Sequence, residues 1–434
     1  MVDRFKQQRG RSSAISRHFA TPQAAAAATV AVADRASRKR HRQPLAQWAM
    51  AALLVAGGLS ACDPAEPESS GDPQQMGDPA AMMMPMDPMM PMDPTKPKDP
   101  MDPMKPMRPP LGAPLSVPMN MWTWVDFPDA VCDDGSTTGI GVHLNGSKKL
   151  LIYMMGGGAC WDYTTCAVLN TSTHGPYAKA QFDAQRGGLT GSILDRSPEN
   201  PFADYNMVFV PYCTGDVHAG DAVQDYMGFG KKKTVHHKGR ANLIAFLKRI
   251  AATVPEPEKM VVSGSSAGGF GAASSFDLVH SYFPENRLYL LDDSGPVFVG
   301  DGIPKAQRDK WYASWNLKAS FGSICPTCQD DLSGLVDVLA AKYPRERMAL
   351  LSYTEDQVIR SFFGAQAPQK FKQNLYDLAD KRIAPHPLFK YYFVTGDSHT
   401  FLGSPGKTTA QGVKLYDWLK QFISDDPAWD STRP

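Results

Sequence analysis

Apolar residues in this chain fall into short blocks with two different periods. Runs at 150–155, 206–212, 260–262, 288–291, 348–353 and 389–394 are nearly continuous and rich in Leu, Val, Met and aromatic residues, as in strands buried on both faces. Trp122, Trp124 and Phe127 mark an earlier strand. Elsewhere the period lengthens. Leu243, Ile244, Leu247 and Ile250 predict a helix over 240–254, stopped by Pro255 and Pro257; Leu415, Trp418, Leu419 and Phe422 predict a closing helix over 409–423. Strands alternating with helices predict an α/β fold, a mainly parallel sheet with helices on both faces and sites at the carboxyl ends of its strands.

The pattern begins only near residue 119. Before it, residues 1–62 combine a basic stretch, Arg38 to Arg42, an apolar run from Trp48 to Leu59, too short to span a membrane, and small residues ending in Leu59-Ser60-Ala61-Cys62. This predicts an export signal whose end resembles the lipobox of bacterial lipoproteins, with Cys62 as the lipidated residue and a lipid anchor as the only membrane contact. Residues 63–118 are dominated by Pro, Met, Asp and Gly, which cannot sustain helix or sheet ladders and predict an extended tether. Residues 119–434 are then the catalytic domain. The formal net charge of +1 in 434 residues offers no electrostatic reason for nucleic acid as a partner.

Candidate chemistry sits where strands end. After the run at 260–262 comes Gly264-Ser265-Ser266-Ala267-Gly268, the pattern of a nucleophile elbow, with Ser266 on a sharp strand-to-helix turn and small neighbours around it. After the run at 150–155 comes Gly156-Gly157-Gly158, where backbone N–H groups can face an anion. In a serine hydrolase such a loop and the N–H after the nucleophile form the oxyanion hole, here Gly157, Gly158 and Ala267. Asp356 follows the penultimate strand and His399 the last, so the order is Ser, Asp, His, as in α/β hydrolases. Asp293, one strand earlier, is the alternative acid.

Together, Gly156 to Cys166, Tyr212 to Val217, Gly264 to Gly269, Asp293-Ser294-Gly295, Asp356-Gln357 and Gly396 to His399 resemble the pectin acetylesterase and Notum carboxylesterase family, in the same order, over about 120–425. The resemblance implies an α/β-hydrolase fold, Ser266 as nucleophile, Asp356 as acid, His399 as base and the oxyanion hole named above. It departs from the family at Ala159, where a tryptophan is usual, and at His218, where animal members carry a bulky aromatic. Both positions read as pocket wall.

Six cysteines remain beside Cys62. An even number in an exported protein predicts three disulfides; many pairings are open, and proximity favours Cys160 with Cys166 and Cys325 with Cys328, leaving Cys132 for Cys213. The alternative for the Cys325 pair, a redox or zinc motif, lacks a second ligand pair. His236-His237 beside Lys231-Lys232-Lys233 reads as a solvated loop. The sequence therefore predicts a serine esterase, without cofactor or metal, removing a short acyl group, acetyl above all, from a carbohydrate or other ester. Two alternatives are a long-chain lipid deacylase and a surface binding protein that kept the fold without turnover.

Overall fold

The computed structural model describes residues 108–434; Cys62, the export signal and most of the tether lie outside them. Eight strands form the central sheet: β1 (Thr123–Val131), β2 (Thr137–His143), β3 (Lys149–Met154), β4 (Asn206–Val210), and, beyond a separate hairpin of β5 (Ala222–Gly228) and β6 (Lys231–His237), β7 (Lys259–Ser265), β8 (Leu288–Asp293), β9 (Arg347–Tyr353) and β10 (Phe389–Val394). Their spatial order is β1-β2-β4-β3-β7-β8-β9-β10. Pairing is antiparallel between β1 and β2 and between β2 and β4, and parallel from β4 through to β10.

Alternation along each strand splits the core in two. Leu150, Ile152, Met154, Met260, Val262, Leu288, Leu290, Met348 and Leu350 face one side. Leu151, Val261, Tyr289, Leu291, Ala349 and Leu351 face the other. The short helix α1 (Lys179–Gln185) covers the second side through Phe182. On the first side lie α2 (Gly239–Thr253), α3 (Ala267–Tyr282), α4 (Lys305–Trp315), α5 (Leu317–Phe321) and α6 (Gly334–Lys342). The same side carries α7 (Gln357–Phe362) and α8 (Pro368–Leu378). The closing helix α9 (Leu415–Ser424) turns Leu415, Trp418, Leu419 and Phe422 onto the second side. Helices on both faces of a mainly parallel sheet match the expected fold class.

The structure corrects two local expectations and adds a strand that the sequence reading lacks. The closing helix starts at Leu415, because Gln411 and Gly412 both hold positive φ (48° and 81°) and turn 409–414 into a two-residue hairpin instead. β2 had no apolar run to announce it, since two of its residues are glycines with no room for a side chain. A Cβ on Gly139 would sit 2.0 Å from the Val125 carbonyl oxygen, and one on Gly141 2.3 Å from the Phe182 ring. His236-His237 is strand, not loop, and His237 is fully buried. Its Nδ1 meets the Thr214 carbonyl at 2.9 Å and its Nε2 the Tyr226 hydroxyl at 2.9 Å, so both ring nitrogens are satisfied inside the fold.

The three disulfides are Cys132–Cys213, Cys160–Cys166 and Cys325–Cys328, the pairing that proximity favours. The first closes 81 residues, for which loop-closure entropy contributes on the order of 4.5 kcal/mol. At the start of the described chain, Gly112 and Leu115 already lie along α2, bonded to the Lys248 carbonyl and the Thr253 hydroxyl.

Candidate active site

Ser266 stands alone between the last residue of β7 and the first of α3, at φ 60° and ψ −123°. A β-carbon in that conformation is strained by about 1–3 kcal/mol and persists only where the surroundings dictate it. Here they do: the Ser266 N–H donates to the Asp293 carbonyl at 2.7 Å, and its own carbonyl accepts from Gly269 and Phe270 at 2.8 and 3.2 Å. The flanking glycines supply space rather than unusual dihedrals. A Cβ on Gly264 would lie 2.2 Å from the Gly268 oxygen, and one on Gly268 2.0 Å from the Met154 oxygen, so the turn presses against the end of β3.

That contact brings in the glycine loop. A Cβ on Gly156 would approach Ser266 Cβ to 2.9 Å, so the loop after β3 runs directly beside the serine. It is held by the Ala159 N–H on the Thr171 carbonyl and the Thr173 N–H on the Gly157 carbonyl, at 3.2 and 2.7 Å. Neither bond uses the N–H of Gly157 or Gly158. Cys160–Cys166 pins the far end, and the Cys160 N–H donates to Gly215 at 2.9 Å.

His399 lies in the loop after β10, with Nδ1 2.7 Å from Asp356 Oδ2. The other Asp356 oxygen accepts the N–H groups of Val358 and Ile359, both at 3.0 Å, making this buried carboxylate the N-cap of α7 as well. Asp293 does something different. Its carboxylate accepts the Ser265 hydroxyl at 2.7 Å and the N–H groups of Phe401 and Leu402 at 2.9 and 3.0 Å, and burial raises its pKa. It therefore ties the strand end before Ser266 to the loop that carries His399. Tyr153 extends the chain, donating to Ser265 Oγ at 3.0 Å. Among the described residues no hydrogen bond joins Ser266 to His399; Asp356 and His399 are together, and Ser266 shares a cavity wall with Gly158 and Ala267.

This cavity, about 80 Å³, opens on Ser266 and runs between α3, α4, α5 and α7. Trp311, Trp315, Phe321, Leu335 and Phe363 form much of its wall, and no ionisable side chain lines it. Ala159 is part of the wall, as expected. His218 is not: it is buried behind, with Nε2 2.8 Å from the Met155 carbonyl and its ring against Gly271, while its neighbour Val217 faces the cavity. The aromatic wall was not legible from motifs, because Trp311, Trp315 and Phe321 come from the segment between β8 and β9 and Phe363 from the loop after α7, short stretches that leave no sustained period.

Burial lowers the pKa of His218 to about 4 and of His237 to about 4. Each imidazole stays neutral where an unfolded histidine, near 6.5, takes up a proton. Its contribution to stability is full above that value and is lost as pH falls toward 4. Asp216 acts in the opposite sense: burial raises it to about 6, so its contribution is full below the ordinary 3.8 and is lost as pH rises through 6. Imidazole NMR at pH 5 is therefore expected to show His218 and His237 unprotonated. Half-protonation of either near 6.5 would contradict the buried geometry.

Residues 113–332 match the sequence profile of the family described as Pectinacetylesterase. The chain belongs to that family. The match takes in Ser266, Asp293 and the glycine loop; Asp356 and His399 lie beyond it. Palmitoleoyl-protein carboxylesterase notum2 of Xenopus laevis is 30% identical over 173 residues, covering 39% of this chain and 34% of that protein. Human palmitoleoyl-protein carboxylesterase NOTUM is 27% identical over 172 residues, 38% of this chain and 34% of its own. Pectin acetylesterase 11 of Arabidopsis thaliana is 26% identical over 185 residues, 40% and 44% respectively. This pectinacetylesterase-family chain thus spans about a third of the length of the palmitoleoyl-protein carboxylesterases it matches.

Proposed function

We propose that the chain is a serine carboxylesterase acting on an ester whose acyl group is apolar and longer than acetyl. The observation that carries this is the carbon-lined cavity opening on Ser266. Its volume, about 80 Å³, exceeds the ~30 Å³ share of a single water, which is close to the size of an acetyl methyl. Resemblance alone placed acetyl on a carbohydrate first; the cavity favours the longer class, and the names of the palmitoleoyl-protein carboxylesterases among its relatives point the same way.

In this reading His399 Nε2 takes the proton of Ser266 as its oxygen attacks the ester carbonyl. Asp356 holds the imidazole through Nδ1 and stabilises the imidazolium. The N–H groups of Gly157, Gly158 and Ala267 receive the oxyanion, and His399 returns the proton to the departing alkoxide. Water, deprotonated by the same imidazole, then releases the acid from Ser266. The Ser266–His399 contact closes with substrate, as such contacts commonly do. Three disulfides fit an exported enzyme, and Cys62 would supply its lipid anchor.

The test is hydrolysis of p-nitrophenyl esters of increasing chain length by the full chain. Each buried methylene contributes ~0.8 kcal/mol, so kcat/KM should rise about fourfold per methylene beyond acetyl until the cavity is filled. A maximum at acetyl would return the assignment to a deacetylase. Folded protein that turns over none of these esters would favour a binding protein on the same fold.

A further inference from the structure

The β5–β6 hairpin breaks the rules of its own turn. Gly228 pairs with Lys231, leaving a two-residue loop of Phe229 and Gly230 with φ of 49° and 70°. Positive φ at both positions is the turn that asks for Asn-Gly, because a bulky L-residue is strained there. Phe229 is held in that conformation 85% exposed, one edge of its ring meeting Tyr163 at 6.1 Å between centroids. Met227 and Val223, on the outward face of β5 with Asp225 between them, are 66% and 51% exposed. A local rule broken in favour of an exposed ring marks a surface under another demand.

Charge accompanies the apolar row. Lys231, Lys232 and Lys233 follow the turn, against Asp225 as the hairpin's one acid. Lys232 is paired with Asp225 at 2.7 Å, while Lys231 has no counter-ion among the described residues. The inner face of the hairpin is fixed along its length, from Gln224 to the turn. Gln224 donates to the carbonyls of Ala313 and Ser314 on α4 at 3.3 and 3.2 Å, and Gly228 lies flat on Tyr163, where a Cβ would come within 2.1 Å of the ring. The rigid inner face thus rests on the helix that bears Trp311 and Trp315 of the acyl cavity.

We propose that this hairpin tip docks on an anionic lipid bilayer. Two apolar side chains at a narrow tip, with Val223 further along the same face, fall well short of the roughly 800 Å² per partner of a stable protein interface. They suit shallow insertion at the headgroup boundary, where burial of apolar side chains and attraction of lysines to anionic lipid add together. Docking sets the cavity-bearing side of the domain against the membrane, whether or not the chain turns over esters.

Hydrogen–deuterium exchange of the full chain, read on peptides covering 222–237, reports this surface separately from any other contact with lipid. Vesicles with roughly 30% phosphatidylglycerol should slow exchange there about tenfold, and phosphatidylcholine alone should not. Phe229→Asn supplies the residue the turn prefers, so the hairpin stays folded, and it should abolish the protection. Lys231→Glu with Lys233→Glu should do the same. Unchanged exchange at 222–237 with the chain on vesicles overturns the proposal, as does equal protection by both lipids. Protection by soluble heparin that is indifferent to Phe229 also overturns it, and makes the hairpin a polyanion site.

Discussion

Ser266→Ala is expected to lower kcat on a p-nitrophenyl ester by at least about ten-thousandfold while the melting temperature stays within about 2 °C of the parent. The two halves of that result have separate origins. In the proposed mechanism, removing the hydroxyl removes the atom that forms the acyl-enzyme, and what remains is stabilisation of the oxyanion by the glycine loop. Stability is spared because the Ser266 conformation is imposed by main-chain bonds from Asp293, Gly269 and Phe270, which alanine keeps. Among the described residues the Ser266 hydroxyl holds no hydrogen bond of its own to lose. A variant that retains turnover would remove Ser266 from the mechanism; one that unfolds would mean the hydroxyl supports the elbow.

The second large effect separates two buried carboxylates. Asp356→Asn keeps an oxygen for the Val358 and Ile359 N–H groups and so keeps the helix cap, but turns an amide N–H toward His399 Nδ1. The imidazole must then carry its proton on Nε2, where it cannot accept one from serine. The expected loss in kcat is about ten-thousandfold, with little change in stability. Asp293→Asn replaces one oxygen of a carboxylate that receives the Ser265 hydroxyl and the N–H groups of Phe401 and Leu402. With a buried donor left unmatched, it should destabilise the fold by about 3 kcal/mol. Activity should fall far less than in Asp356→Asn once the protein is held below its melting temperature. Chemical denaturation and single-turnover kinetics on both variants decide the matter. If Asp293→Asn proves inactive but stable and Asp356→Asn active, the acid of the site has been misassigned.

The candidate catalytic positions stand out in the sequence because they rest on local rules. A strand-to-helix turn with room for no side chain but the serine's, a glycine run at a strand end, and a histidine after the last strand each leave a mark in a few adjacent residues. The sheet was legible for a related reason: β3, β7, β8 and β9 are buried on both faces and centre on apolar runs, and the edge strand β10 keeps one around Lys390. What escaped depends on residues distant in sequence. Asp293 looks like a second candidate acid until Phe401 and Leu402 are seen to occupy its oxygens. His237 looks solvated beside its lysines until Tyr226 and Thr214 close over it. Trp311, Trp315 and Phe321 read as ordinary core residues, and only the approach of α4 and α5 to Ser266 turns them into a wall.

Two of the three disulfides flank the candidate site. Cys160–Cys166 fixes the downstream end of the glycine loop, and Cys132–Cys213 ties the end of β1 to the segment after β4. In a cytosol poised to keep thiols reduced, both would stand open. The newly made chain would then carry its serine and histidine but not a fixed loop to receive the oxyanion. On the proposal of an exported serine esterase, export would double as a maturation step: the redox state of the compartment the chain reaches would complete its candidate active site, and the ester-bearing molecules of the cytoplasm it leaves would be spared.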